Sequence, residues 1–122
     1  MKPGALLLAR ARELVSRGWC RGADACGADG GPVEPWDGDA CAWSLLGAVV
    51  AALEQDAEAE GEVPLEELAA ALYALADVIE TDSLVDWNDE PSRTQEEVVA
   101  TLARAEELYE SPWPELANSS PN

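Results

Sequence analysis

The chain contains no histidine and no phenylalanine, and it sets 7 Lys and Arg against 25 Asp and Glu. Without imidazole, Ser-His-Asp triads and histidine acid-base catalysis are excluded, and any enzyme of this composition would have to run on carboxylates. No glycine-rich phosphate loop of the strand-to-helix kind is present. Paired acids such as Asp86 and Asp89 carry little information in so acidic a chain, and the sequence points away from catalysis. The scarcity of cations, at a net charge of -18, argues against direct binding of nucleic acid, because that affinity depends on Lys and Arg displacing counterions. No uninterrupted apolar run reaches the roughly eighteen residues of a membrane span. The three cysteines, Cys20, Cys26 and Cys41, follow no secretory-style leader, so reduced thiols in the cytoplasm are expected.

What is present favours helix. Hydrophobic residues make up 48% of the chain, and Ala and Leu dominate them. At 122 residues the length suits one domain, expected over residues 1–115 with a flexible polar tail at 116–122. Pro3 suits the first turn of a helix over 3–17 that places Leu7, Ala11, Leu14 and Val15 on one side, and Gly18 stops it. Residues 19–39 are rich in glycine and show no sustained period, which predicts a long loop pinned by Trp19, Val33 and Trp36. Asp39 is the expected cap of a second helix over 40–54, with Cys41, Leu45, Ala48, Val49 and Ala52 on one face. An acidic linker, Glu54 to Glu62, leads to Pro64 and a third helix whose Leu65, Leu68, Leu72, Leu75 and Ile79 form a stripe.

A short helical turn through Val85 and a loop anchored by Trp87 precede Thr94-Gln95-Glu96-Glu97, which matches a capping box. The helix it opens presents Val98, Leu102, Ala105 and Tyr109 on one side and ends near Ser111-Pro112. The fold class expected is all-α, a compact bundle of about four helices with a long Gly-rich loop between helices 1 and 2. Charge is uneven along the chain. Residues 1–21 carry Lys2, Arg10, Arg12, Arg17 and Arg21 against Glu13, whereas Arg93 and Arg104 are the only cations beyond them. Such asymmetry suits a basic first helix lying on an acidic face of its own chain or of a partner.

Three separated blocks occur in order: Gly18-Trp19; Ala42-Trp43-Ser44-Leu45-Leu46-Gly47-Ala48; and Trp87-Asn88-Asp89 with Arg93-Thr94 and Glu97-Val98. In this combination, and nearly end to end, the chain resembles a family of small actinobacterial and phage proteins of unknown function. The resemblance implies no established activity, cofactor or catalytic residue. The family pattern often has cysteine where this chain has Ser44, so no thiol is assigned a role at that position.

The segment from Trp87 to Thr94 packs an aromatic ring, an amide, a carboxylate and Arg93 ahead of a helix N-terminus, and it could hold a small polar ligand. The plainer reading has Trp87 plugging the core, Asn88 and Asp89 shaping the turn, and Arg93 pairing with Asp89 or Asp86. Packing of this loop on the first through Trp19 and Trp87 would put a pocket between them. The ligand or interaction candidates are therefore Trp19, Trp43, Trp87, Asn88, Asp89 and Arg93. Cys20, Cys26 and Cys41 are weak metal candidates, because they form no Cys-x-x-Cys pair and have no histidine to complete a zinc shell. Arg17 and Arg21 would lower the Cys20 thiol pKa, yet no base follows to make it a nucleophile. Asp24, Asp29, Glu34, Asp37 and Asp39 lack the spacing of a calcium loop, and the Asp-Gly pairs at 29–30 and 37–38 read as turns.

The expected function is a non-catalytic, acidic protein-interaction domain of an accessory or phage-related kind, whose partner has a basic or amphipathic surface. A sharper variant is a nucleic-acid mimic that occupies a basic cleft. The alternative is a small-ligand or metal-binding domain using the 19–39 and 86–94 loops. No cofactor and no membrane contact are expected.

Overall fold

The computed structural model describes residues 3–60, 65–81 and 83–110. Among these residues lie five helices and a three-stranded antiparallel sheet, so the expected all-α bundle of about four helices is corrected to a mixed fold. The chain order is α1 (Pro3–Arg17), β1 (Ala25–Gly27), β2 (Pro32–Val33), β3 (Ala40–Trp43), α2 (Leu45–Glu60), α3 (Leu65–Ile79), α4 (Leu84–Asn88) and α5 (Gln95–Glu110). The expected domain limit at 115 and the tail at 116–122 lie outside the described residues.

The segment expected to be a loop supplies β1 and β2, and the first residues of the expected second helix supply β3. β1 lies between β2 and β3, pairing Ala25 with Val33 on one side and with Trp43 on the other. Two aspartates fold the turns from their own side chains, as the Asp-Gly pairs imply. Asp29 Oδ1 accepts from Gly31 N at 2.9 Å, and Asp37 Oδ1 accepts from Asp39 N at 2.8 Å. Gly30 takes a positive φ of 85° at the first of them, a conformation that a Cβ would strain. Of the three residues expected to pin the segment, Trp19 and Val33 pack on the core, whereas Trp36 is exposed.

Because β3 takes up residues 40–43, the second helix starts later than expected and Asp39 does not cap it. Ser44 does, its Oγ accepting from Gly47 N at 3.0 Å. At its other end α2 runs to Glu60, through most of the stretch read as a linker. Ser83 caps the short α4, which takes in Trp87 and Asn88 from the stretch read as a loop. The capping box forms as expected: Glu97 Oε1 accepts from Thr94 N at 2.9 Å, and Thr94 Oγ1 accepts from Glu97 N at 3.2 Å.

α1 is the centre of the domain. It packs against α5, α2 and α3, and Leu7, Leu8 and Val15 are fully buried, each contributing roughly 1.5–3 kcal/mol of transfer free energy. Arg12 makes a two-pronged pair with Glu106 on α5, and Gln95 Nε2 donates to Val15 O at 2.7 Å, so the two helices run antiparallel. The basic first helix thus lies on an acidic helix of its own chain. α5 buries Val98, Leu102 and Ala105, the face expected of it.

α3 is turned differently from the expected stripe. Its buried residues are Ala71, Ala74 and Leu75, while Leu68, Leu72 and Ile79 are half-buried, and the Leu65 side chain lies outside the described residues. From Leu68 to Ala76 the helix holds no polar residue except Tyr73, so it offers more than one apolar face and packing selects among them.

Gly47 lets α2 meet the sheet. A Cβ there would stand 1.8 Å from Asp24 O. Helix propensity favours Gly47→Ala by about 1 kcal/mol, but the clash reverses the sign, and the substitution is expected to destabilise by about 2 kcal/mol or more. Urea unfolding checks this against Gly38→Ala, where a Cβ meets open space and stability should hold.

Tyr109 on α5 donates its hydroxyl to Glu67 on α3. Burial, and then this bond, push the phenol up from 10.0 to about 12. A raised folded value means that this contact holds below the ordinary phenol range and is lost as pH climbs through about 12. Ultraviolet titration should show a late tyrosinate step that Tyr109→Phe removes.

Candidate functional site

The Gly18-Trp19 block and the Trp87-to-Thr94 block, far apart in sequence, meet at one side chain. Asn88, at the end of α4, is only 1% exposed. Its Oδ1 accepts from Trp19 Nε1 at 2.8 Å and from Leu45 N at 3.0 Å. Its Nδ2 donates to Cys20 O at 3.2 Å and to Asp89 Oδ1 at 3.0 Å. An amide has two acceptor lone pairs and two donor hydrogens, and here all are used. The start of α2, the segment following α1 and the end of α4 are thereby tied to one residue.

Neighbouring residues extend the tie. Asp89 Oδ1 also accepts from Gly22 N at 3.0 Å. Arg93 covers the Trp87 ring at 3.7 Å, donates through Nε to Trp87 O at 2.9 Å, and pairs with Glu97 at 3.7 Å rather than with Asp89 or Asp86. Arg21 lies over the Trp19 ring at 4.9 Å and donates to Arg93 O. Trp43 is buried in the core, its Nε1 donating to Pro35 O at 3.1 Å, and its backbone bridges that of Trp19. Of the candidates, Trp19, Asn88, Asp89 and Arg93 are brought together; Trp87 is held beneath Arg93, and Trp43 anchors the sheet.

A cleft of about 140 Å³ does lie between the two loops, lined by Gly22, Asp24, Ser44, Val85, Asn88 and Asp89. It is smaller than the roughly 300 Å³ at which ligand pockets begin, and the polar atoms of Asn88 on its wall are already engaged. Cys20 and Cys26 are half-buried, Cys41 is exposed, and all three are free. Burial first, then a hydrogen bond with Cys26 and the nearby charges of Asp89 and Asp24, push the Cys20 thiol up to about 12. This is opposite to the lowering expected from Arg17 and Arg21, and it keeps the sulfur protonated, which suits neither a nucleophile nor a metal ligand. Among the described residues no cluster of three or more Cys, Asp or Glu is arranged to hold a metal ion.

A second concavity was not anticipated. A groove of about 550 Å³ runs between α2 and α3 beside α4, lined by Leu46, by Leu72, Tyr73 and Ala76, and by Val85. Tyr73 is 76% exposed and Val85 46%. The signal for it in the sequence is the all-round apolar character of α3, which a single stripe could not account for.

These features define a small mixed domain in which one amide ties the start of α2 and the segment after α1 to the end of α4. Residues 1–108 match a family of unknown function (DUF6197), and the chain belongs to that family. No curated protein and no solved structure matches it.

Replacing Asn88 with alanine strands Trp19 Nε1, Leu45 N and Cys20 O away from water, and a loss of about 3 kcal/mol or more is expected. Asn88→Asp is the sharper probe, since a carboxylate can accept from Trp19 and Leu45 but cannot donate to Cys20 O and stands against Asp89. Its folded pKa must rise above the unfolded value near 4. The variant should therefore be closest to wild type below about pH 4 and lose stability relative to it as pH rises. Urea unfolding across pH checks this, and a pH-independent difference would contradict the assignment.

Proposed function

We propose that the domain is a non-catalytic protein-interaction module whose anionic surface receives a basic or amphipathic protein. The observation that carries this reading is the balance of surface charge, in which three of the few cations are engaged within the chain while Arg17 and Arg104 stay exposed. Arg12 is taken by Glu106, Arg21 by Trp19 and the Arg93 carbonyl, and Arg93 by Trp87 and Glu97. Carboxylates dominate the described surface: Asp29, Asp37 and Asp39 on the turns of the sheet, Glu66 and Asp77 on α3, and Glu96 and Glu107 on α5 are exposed. Their summed field attracts cationic partners and speeds encounter with them.

The free thiols suit a reducing compartment, which supports a cytoplasmic setting. An accessory role in an actinobacterial or phage context follows from the sequence resemblance alone. The spread of exposed carboxylates over the turns of the sheet, α3 and α5 lends no support to a nucleic-acid mimic, which would need them in a row along one face. The small-ligand alternative gains nothing from a cleft whose amide is saturated.

Affinity capture with the full chain in lysate of its source organism, at low and moderate salt, tests the proposal. A partner with a basic surface, recovered at low salt and reduced about ten-fold at moderate salt, is expected. Recovery of only salt-insensitive partners, or of none, would overturn it.

A further inference from the structure

We infer that the groove between α2 and α3 is the docking site, and that its occupant is a cationic amphipathic helix of the partner protein. The inference rests on the interaction reading above and assigns it a place and a ligand chemistry.

The groove has a physical origin. α2 and α3 each pack on α1, yet among the described residues they make little contact with each other, so the space between them is left to α4 and solvent. α3 spends Ala71, Ala74 and Leu75 on the core and turns Ala69, Leu72, Tyr73 and Ala76 to the groove. A helix apolar on all sides is ordinarily covered on all sides, and a cleft lined by aliphatic side chains with an exposed tyrosine at its edge is a surface that gains by burial. The space of about 550 Å³ accommodates several aliphatic side chains, as the anchors of a docked helix require.

The charge around it names the occupant. Residues 22–92 contain no Lys and no Arg, and every element that forms the groove comes from that stretch. Glu66 precedes Ala69 by one turn, Asp77 follows Tyr73 by one turn, exposed Glu80 comes directly after the end of α3, and exposed Asp86 adjoins Val85. Apolar floor and anionic rim together match a helix with aliphatic residues along one stripe and Lys or Arg on its flanks. A second copy of this chain would set carboxylates against carboxylates, and an anionic lipid surface would be repelled in the same way.

The test uses the full-length chain and a labelled synthetic helical peptide of about twenty residues, with leucines at helical spacing and lysines on both flanks. Fluorescence anisotropy follows binding. The comparison peptide has the same composition with the leucine spacing scrambled. The patterned peptide is expected to bind at least about ten-fold more tightly than the scrambled one. Tyr73→Ala combined with Val85→Ser, two exposed positions, should remove that preference while helical circular dichroism is retained. Asp77→Lys with Glu80→Lys should weaken both peptides.

Equal binding of the two peptides, unaffected by Tyr73→Ala with Val85→Ser, would overturn the groove assignment while leaving the acidic interaction reading intact. Binding of neither peptide at low salt would overturn both. A concentration-dependent dimer abolished by the groove variant would assign the site to a second copy and overturn the inference. So would a ten-fold gain in peptide affinity on Trp113→Ala, which would give the groove to the chain's own 111–122 segment.

Discussion

A buried primary amide that uses all of its hydrogen-bonding capacity fixes how the end of α4 meets the start of α2 and the segment after α1. Asn88 holds the indole of Trp19, the first amide of α2 and the carbonyl of Cys20, and none of these is a partner that local secondary structure could supply. Leu45 N belongs to the first turn of α2, where helical bonding leaves donors unpaired. The loop after α1 has its own orphan groups. One side chain satisfies both, and the apolar contacts around it place α4 at the distance this requires. In a low-dielectric site the bonds are strong and their loss is costly, so the arrangement is specific as well as stabilising.

The helices were legible in the sequence to the extent that one face and one cap were unambiguous. α1 and α5 lie where their apolar spacing put them, and the Thr94–Glu97 capping box is formed atom for atom. The sheet was not legible because its strands are two to four residues long, too short to show a period of two, and its turns carry the Gly and Asp that also mark loops. That error displaced the cap of α2 from Ser44 to Asp39. α3 was read as a helix correctly and turned incorrectly, since a run of Ala and Leu on all sides leaves the choice of buried face to the neighbours. At the candidate site, the residue types in the Trp87-to-Thr94 block were identified, but nothing in a linear sequence says that Asn88 meets Cys20. Proximity of that kind is decided by the topology of the sheet.

The two concavities illustrate how differently polar and apolar surface can be left over. The cleft beside Asn88 is lined by groups that already satisfy one another, so it has little to offer a ligand. The groove on α3 is lined by groups that satisfy nothing, since aliphatic carbon gains only by leaving water. Its rim lies in the part of the chain that has no cations at all. The engagement of Arg12, Arg21 and Arg93 within the chain and the outward exposure of carboxylates are two sides of one distribution of charge.

The position of α1 at the centre of the domain has a consequence for how the chain acquires its structure. α1 packs on α5, the element most distant from it in sequence among those described, to about the same extent as on α2. Arg12 pairs with Glu106 and Val15 O accepts from Gln95, so both ties need α5 in place. Contacts of such long sequence separation slow the search for the native state. A chain cut before Gln95 would therefore leave the α5-facing side of α1 open to water, however well the sheet and the other helices were formed.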